Sequence, residues 1–406
     1  MKKHLTDSQK KEYIYYLSLV SAVLNGTSPE IPYENCKLEK MKQISRDTRT
    51  DAIFDEAIIL LSKRCEVPDE LLSYAKDNLN HYIYIDTLMN FEIEKILKAF
   101  DENKIYNLPM KGYFLKKDYP NPFERSISDY DILFDLKDID RIKNVFKDNG
   151  YKFLKNDDQQ YHFTKKPFMY IEMHHSLVKK SDKNYSLLAN QLEIAKTRNG
   201  YSYSKEMSYE DYYIYMLIHS AKHFSEGGIG LRMLADEYVF YRKYADTLDW
   251  KYINSRLKKC GLDSFEKKLR AVSLKWFSPD SEIKDFDDVE EYILMSFALG
   301  RADVAVMSVM EKQRVDADTG KKKSRLANFI SSLFPGKETM SIKYPFVEKM
   351  PFLLPYSWIC MWSRRAFIDK NIHIKEGFYN RTSYTDDDIV YFNHIQNEAG
   401  LGDKSI

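Results

Sequence analysis

The 406-residue sequence contains little glycine, proline or cysteine. With 14 glycines and 12 prolines, it has few of the residues that tight turns need, which argues against an all-β sandwich and against a glycine-punctuated dinucleotide-binding fold. The four cysteines are far apart and form no Cys-x-x-Cys pair, so the sequence indicates neither a zinc knuckle nor a disulfide framework. This cysteine usage is typical of a reducing compartment, and we expect a cytoplasmic location.

The sequence also lacks an excess of charge and a long apolar run. Lys and Arg total 62 while Asp and Glu total 61, so the formal net charge is +1. The chain as a whole is therefore not expected to attract nucleic acid, although the sequence still allows a local basic groove that would. The first residues are polar, and the longest apolar stretches, 13–24 and 350–362, are shorter than the roughly 20 residues that cross a bilayer. We expect neither a secretory signal nor a transmembrane segment.

Apolar periodicity predicts a mainly helical α+β protein with a small mixed sheet. Hydrophobic residues make up 44% of the chain and charged residues 30%, as in a folded globular protein. Helical spacing covers most of the first hundred residues and returns after the short strand-like runs that follow them. The expected organisation is an N-terminal helical region (1–100), an α/β core (101–180), a helical domain (181–310), and a charged linker with an aromatic, proline-containing C-terminal region (311–406).

Two carboxylates lie two residues apart on an apolar strand of the expected core. The two-residue period of a strand puts the side chains of Asp129 and Asp131 on one face. Glu172 belongs to a later predicted strand, and His174 shares its face. Because like charges are costly to bury together, a hard cation such as Mg²⁺, which takes carboxylate and phosphate oxygens, would relieve the repulsion. The pattern favours a metal site that handles phosphate.

A lysine and a glycine precede these acids at a predicted strand-to-helix turn. At such a turn, backbone N–H groups and the side chain of Lys111 can hold phosphate oxygens. The ordered series comprises Met110-Lys111-Gly112, Tyr119-Pro120-Asn121-Pro122, Arg125, Asp129-Tyr130-Asp131-Ile132-Leu133, Gly150-Tyr151, Ile171-Glu172-Met173-His174, His219, His223, Gly227-Gly228, Arg232 and Asp236. It resembles the DNA polymerase β-like nucleotidyltransferase superfamily, and more narrowly an uncharacterised bacterial nucleotidyltransferase family within it.

The resemblance implies a Mg²⁺-dependent nucleotidyltransferase. Asp129, Asp131 and Glu172 would be the catalytic residues and the ligands of two Mg²⁺ ions, with Mn²⁺ as an alternative metal. An NTP, expected to be ATP, would give its nucleoside monophosphate to an acceptor hydroxyl and release pyrophosphate. The sequence does not distinguish between four classes of acceptor: a small molecule, a sugar precursor, a protein and RNA. The implied nucleotide-binding residues are Lys111, Gly112, Arg125, His174, His223 and Arg232.

The sequence leaves alternatives open. A catalytically silent nucleotide-binding or scaffold protein could keep the same fold. His219 and His223 have the spacing of a zinc pair but no evident third ligand, and Arg232 and Asp236 have the spacing of an intrahelical salt bridge. The aromatic stretch 352–362 is expected to pack against the helices, with an interfacial membrane anchor as the second interpretation.

Overall fold

A five-stranded mixed sheet lies in the middle of the chain, between two groups of helices that pack on each other. This architecture is that of a computed structural model, which describes residues 3–156, 159–178, 184–297, 300–314, 324, 330–331, 333–364 and 384–402. The prediction of a mainly helical α+β fold with a small mixed sheet is confirmed.

The first helix shows how the local sequence sets its own ends. Thr6 and Gln9 form a capping box, in which the Gln9 N–H donates to the Thr6 hydroxyl and the Thr6 N–H donates to the Gln9 side chain. Gly26, at φ 64°, supplies the left-handed residue that ends the helix. The helices before the sheet are α1 (Asp7–Asn25), α2 (Leu38–Thr48), α3 (Asp51–Leu61) and α4 (Asp69–Glu102).

The sheet contains one parallel pair among antiparallel neighbours. Its strands are β1 (Asn107–Pro109), β2 (Tyr130–Phe134), β3 (Lys152–Asn156), β4 (Gln160–Lys165) and β5 (Met169–His174), with α5 (Gly112–Leu115) after β1 and α6 (Ile139–Asp148) after β2. The spatial order is β1-β2-β5-β4-β3. β2 and β5 run parallel and the other neighbours antiparallel. The two strands that carry the predicted carboxylates are therefore adjacent.

Helix α6 covers one face of this sheet with an apolar stripe. Ile142, Val145 and Phe146 recur at helical spacing and are buried. The ring of Phe146 stacks on that of Phe163 in β4, with ring centroids 4.0 Å apart, and meets Phe100 of α4 edge to face. Helices α4 and α6 thus cover the same apolar face of the sheet, and the opposite, polar face is left for the candidate site.

The helices after the sheet, apart from those of residues 337–363, share one hydrophobic core with α1 to α3. The Tyr238 hydroxyl donates to Asn25 at the end of α1, and the Ser21 hydroxyl donates to the Phe277 carbonyl. The Tyr391 hydroxyl donates to the Lys3 carbonyl across most of the sequence. These later elements are α7 (Tyr185–Leu188), α8 (Gln191–Ile194), β6 (Lys196–Thr197), β7 (Lys205–Glu206), α9 (Tyr209–Glu226), α10 (Leu231–Tyr244), α11 (Trp250–Cys260), α12 (Asp263–Phe277), α13 (Asp288–Met295), α14 (Ala302–Arg314), α15 (Lys337–Lys343), α16 (Phe346–Lys349), α17 (Leu354–Ser363) and α18 (Asp386–Glu398).

The structure differs from the expected charged linker over the first residues of that linker. Residues 311–314 form the last turn of α14, which ends at Arg314, and so they are helical. The lysines at 321–323 lie outside the described residues. The expectation of a linker from residue 311 is therefore wrong for this first stretch, because charged side chains are compatible with a helix as well as with a loop.

The aromatic C-terminal region packs on itself. Trp358 and Trp362 lie against a small cluster that includes Met361, and this cluster is separate from the main core. Phe352 and Ile359 are exposed. The expected packing against the helical body is therefore not seen in the described part of this region. Within the described residues, no helix has the length and the hydropathy that crossing a membrane requires.

Phe146 offers a test of the packing beneath the sheet. Replacing a fully buried phenylalanine with alanine leaves a cavity, so Phe146→Ala should lower the free energy of unfolding by about 3–5 kcal/mol. Phe91, on α4, is 67% exposed and serves as a matched control, for which Phe91→Ala should change stability by no more than about 0.5 kcal/mol. Denaturant unfolding measures both. Equal losses in the two variants would contradict the assignment of Phe146 to the core.

A buried group of one tyrosine and two glutamates links three helices of the main core. The Tyr213 hydroxyl lies 2.6 Å from Glu237 Oε1 and 3.0 Å from Glu266 Oε1. Arg270 Nε donates to Glu266 at 2.6 Å, whereas burial raises the pKa of Glu237 to about 8. The tyrosine has one hydroxyl hydrogen for two carboxyl groups, so a protonated Glu237 that donates to Tyr213 satisfies all the groups at once.

This arrangement predicts a pH-dependent stability. Between the ordinary glutamate pKa of about 4.3 and the raised value, the folded protein keeps a proton that the unfolded chain has released, so the free energy of unfolding falls as pH rises. Glu237→Gln, which carries its hydrogens at every pH, should show a flatter fall between about pH 5 and 8. Denaturant unfolding at a series of pH values measures the difference. Parallel profiles for the two proteins would show that Glu237 ionises normally.

Candidate active site

Strand register brings the two predicted carboxylates side by side. In the parallel pair, Asp131 of β2 is opposite Glu172 of β5. In the next, antiparallel pair, Glu172 is opposite His162 of β4. Residues directly opposite each other in adjacent strands project from the same face, so these side chains form a row across three strands. His162 was not among the predicted site residues, because its place beside Glu172 depends on a pairing that the sequence does not reveal.

His174 completes a compact group of potential metal ligands. It follows Glu172 by two residues and so shares its face. Its Nε2 lies 2.7 Å from Asp131 Oδ1 and 3.7 Å from Glu172 Oε2. One ligand atom from each of Asp131, Glu172 and His174 lies within 4.8 Å of the others, and no other group of this kind occurs among the described residues.

The two carboxylates of this group have opposite electrostatic tendencies. Asp131 is only 3% exposed, and burial alone would raise its pKa, but Lys111 and His174 hold that pKa well below its ordinary value. Glu172 is half-buried, and burial together with the Asp131 charge raises its pKa. Asp131 therefore stays ionised while Glu172 is the better proton acceptor of the pair.

Lys111 reaches the same carboxylate from the end of β1. Its Nζ donates to Asp131 Oδ1 at 2.7 Å, and its backbone carbonyl accepts a hydrogen bond from the Tyr212 hydroxyl of α9 at 2.9 Å. Lys111 has φ 49°, an uncommon value for a residue with a side chain. Next to it, a Cβ on Gly112 would lie 3.0 Å from Ile127 Cγ1 and 3.5 Å from Arg125 Nη1, so the turn is closely packed.

Asp129 lies outside the three-residue group. The strand begins at Tyr130, one residue after Asp129, but the Asp129 charge still acts to raise the pKa of Glu172. Its side chain is half-buried, accepts a hydrogen bond from the Ser128 hydroxyl at 2.7 Å, and lines the adjoining cavity. The structure thus brings two of the three predicted acids together and places the third on the wall nearby.

A cavity of about 350 Å³ opens between the sheet and the helices α9 and α10. Gly228, in the loop between these helices, has φ 101°, and a Cβ there would lie 2.1 Å from Ser296 Oγ. Only glycine fits this wall without a shift. The charged and imidazole side chains that line the cavity include Lys111, Asp129, Asp131, His219, His223 and Arg232, with Arg49 from the end of α2. The predicted His223 and Arg232 therefore face the same space as Asp131.

The histidines of α9 do not form a zinc site within the described residues. The rings of His219 and His223 are 4.4 Å apart between centroids, but no third histidine, cysteine or carboxylate joins them there. Burial and the nearby Lys111 charge lower the pKa of His219 well below its ordinary value. His219 is therefore neutral at neutral pH.

Asp236 pairs with Arg125 and not with Arg232. Arg125 Nε and the Tyr119 hydroxyl each donate to Asp236 Oδ1 at 2.7 Å, and all three side chains are buried. The expected intrahelical salt bridge between Arg232 and Asp236 is wrong, because Asp236 points to the loop that carries Arg125. Arg125, a predicted nucleotide ligand, also contacts the cavity.

This buried pair generates a stability prediction. Removing one partner leaves an uncompensated buried charge, so Asp236→Asn should lower the free energy of unfolding by about 3–5 kcal/mol. Asp140→Asn is a suitable control because Asp140 is highly exposed and lies 3.6 Å from Lys143, a pairing worth at most about 1 kcal/mol. Chemical denaturation compares them. A loss as small for Asp236→Asn as for the control would contradict the buried pairing.

Comparison with known proteins places the chain in a family. A family model described as "uncharacterised nucleotidyltransferase" matches residues 37–278, more than half of the chain. A similar solved structure is the solution structure of the antibiotic-resistance factor ANT(2'')-Ia, at 15% identity and a TM-score of 0.25, covering 46% of this chain and 91% of that one. The search of curated proteins gives no match. On the family match, the chain belongs to the uncharacterised nucleotidyltransferases, a family of enzymes that act on an NTP and an acceptor.

Proposed function

We propose that this enzyme transfers a nucleoside monophosphate from an NTP, expected to be ATP, to an acceptor hydroxyl in a Mg²⁺-dependent reaction. The observation that carries the proposal is the convergence of Asp131, Glu172 and His174 beside a cavity lined by Lys111. Family membership supplies the reaction class. The acceptor hydroxyl is carried by a small molecule, a sugar precursor, a protein or RNA.

The donor atoms fit a hard divalent cation. Asp131 and Glu172 offer carboxylate oxygens, which suit Mg²⁺ and Mn²⁺, and His174 adds an imidazole nitrogen, a ligand more often used by other metals. In this proposal Asp131 and Glu172, with Asp129 from the cavity wall, would hold up to two ions. Such ions would neutralise charge on the transferring phosphate and lower the pKa of the acceptor hydroxyl.

The protein residues have distinct roles in the proposed transfer. The acceptor oxygen forms a bond to the α-phosphorus while the bond between that phosphorus and the bridging oxygen to the β-phosphate breaks, and pyrophosphate leaves with that electron pair. Glu172, with its raised pKa, is placed to take the hydroxyl proton. Lys111 would donate from Nζ to phosphate oxygens, and His174 holds Asp131 in place.

The other predicted nucleotide ligands keep supporting roles in this proposal. Gly112 keeps the turn after Lys111 small enough to pack against Arg125. Arg125 is neutralised by Asp236, so it shapes the wall more than it adds free charge. His223 and Arg232 face the cavity from the helical side and are placed to contact a bound nucleotide.

Asp131→Asn tests the reaction directly. We expect transfer of label from an α-³²P-labelled NTP to a cell-extract acceptor, in the presence of Mg²⁺, to fall by at least about 100-fold, because the proposed metal loses a carboxylate ligand and with it the charge that would stabilise the transferring phosphate. Asp140→Asn, with an exposed carboxylate on α6, should label as the wild type does. The nuclease or protease sensitivity and the size of the labelled product identify the class of acceptor.

Two outcomes would contradict the proposal. Equal labelling by Asp131→Asn and the wild type would remove Asp131 from the reaction. A wild-type protein that binds Mg²⁺ and NTP but transfers no label from any of the four nucleotides to extracts of several kinds would favour the catalytically silent nucleotide-binding protein.

A further inference from the structure

We propose that Arg49 and Arg232 form a phosphate-binding subsite at the helical end of the cavity, separate from the carboxylate end. The inference deepens the proposed function and rests on it for the identity of the reaction, but the subsite itself follows from charge and packing. It also gives the helices before the sheet a part in substrate binding, because Arg49 comes from the end of α2.

Arg232 makes no ion pair within the described part of the chain. It lies in the first turn of α10, is half-buried, and lines the cavity. Among the described residues no carboxylate lies within salt-bridge distance of its guanidinium, and Asp236, one turn later, is occupied by Arg125 and Tyr119. Burial and the Arg125 charge lower the pKa of Arg232 to about 10, so it is still charged at neutral pH.

Arg49 approaches the same space from another part of the chain. It is the C-cap of α2, at φ 54°, and its side chain is half-buried against the cavity. The guanidinium of Arg49 likewise has no carboxylate partner in the described part of the chain. Its charge is close enough to affect the pKa of Arg232, as that of Arg125 does. Two guanidinium groups that make no ion pair among the described residues therefore share this wall.

The surroundings of the pair differ from those of the carboxylate end. At that end the Lys111 charge is neutralised by Asp131, and Glu172 and His174 complete the group. At the helical end, α10 begins after Gly230, which has no side chain to cap the first N–H groups of the helix. Backbone N–H groups at the start of α10 therefore add to the guanidinium donors of this wall.

This chemistry selects a doubly charged oxyanion. A planar guanidinium fork matches phosphate oxygens in a bidentate fashion, and two such groups balance the two charges of a phosphate monoester better than the single charge of a carboxylate. The phosphate has two possible sources, the polyphosphate tail of the NTP or a phosphate group on the acceptor. Both give the same contacts with Arg49 and Arg232.

The subsite can be tested without the metal and without the reaction. Calorimetric titration of the whole protein in EDTA, with inorganic phosphate and then tripolyphosphate, should give affinities that Arg49→Gln and Arg232→Gln each weaken by about tenfold or more. Arg46→Gln is the matched control, since Arg46 lies on the same helix, is exposed, and donates to the Tyr74 hydroxyl. It should bind both anions as the wild type does.

A second arm identifies the source of the phosphate. The wild type is first saturated with Mg²⁺ and an NTP analogue that has a methylene group between the α- and β-phosphorus atoms, and inorganic phosphate is then titrated. Phosphate that no longer binds indicates that the NTP tail occupies the subsite. Phosphate that still binds, with the same dependence on Arg49, indicates a phosphorylated acceptor. Either result supports the subsite.

The inference is overturned if the wild type binds neither anion at concentrations up to about 10 mM. A dissociation constant above that concentration is too weak for a specific contact between the two guanidinium groups and a phosphate. It is equally overturned if Arg49→Gln and Arg232→Gln, shown to be folded by their thermal unfolding, bind as tightly as Arg46→Gln. Should Arg49→Gln fail to fold, Arg49→Lys keeps the charge but not the fork, and an undiminished affinity would remove the bidentate contact. Label transfer plays no part in these results, so the subsite and the proposed reaction can fail separately.

Discussion

The candidate site depends on the parallel pairing of β2 with β5. The register that puts Asp131 opposite Glu172 also puts their charges together on a largely buried face. A slip of one residue would send one carboxylate to the opposite face, against the apolar packing of α6. The repulsion is offset by Lys111 and His174, which both contact Asp131 Oδ1. The strand pairing, the lysine turn and the histidine therefore form one interdependent unit.

That unit is tied to the helices at two points. The Tyr212 hydroxyl of α9 binds the Lys111 carbonyl, and Asp236 of α10 binds Arg125 from the loop before β2. Each contact joins a residue near the sheet to a helix about a hundred residues later. The cavity lies between these two contacts, so its shape depends on how the helical body docks against the sheet. A change in either anchor would act on the cavity without touching a reacting group.

Much of the site could be predicted from the sequence because its signals are local. The two-residue alternation of a strand paired Glu172 with His174, and the lysine-glycine turn needed only neighbouring residues. Asp129 was grouped with Asp131 by the same alternation; it lies one residue before the strand and outside the compact group of ligand atoms, on the wall of the same cavity. Strand β3 was missed since all its residues are exposed and show no alternation.

The remaining features depend on tertiary contacts. Arg49 reaches the cavity from a helix that no sequence motif marks, and His162 meets Glu172 only through the order of strands in the sheet. Asp236 has Arg232 at ideal helical spacing, yet it binds an arginine more than a hundred residues earlier. Local spacing shows which pairs can form. Burial and docking decide which pairs do form.

The core shared by the first and last helices has a consequence for the order of events during synthesis. The Tyr391 hydroxyl of α18 binds the Lys3 carbonyl, and the Leu5 N–H donates to Glu291 of α13. Helix α1 emerges from the ribosome before α12, α13 and α18, and it cannot complete its packing until they have emerged. Such contacts between distant parts of a sequence form slowly because long loops must close first. The nascent chain must therefore keep the apolar face of α1 from aggregating for most of its translation, and this face is where a chaperone would be needed.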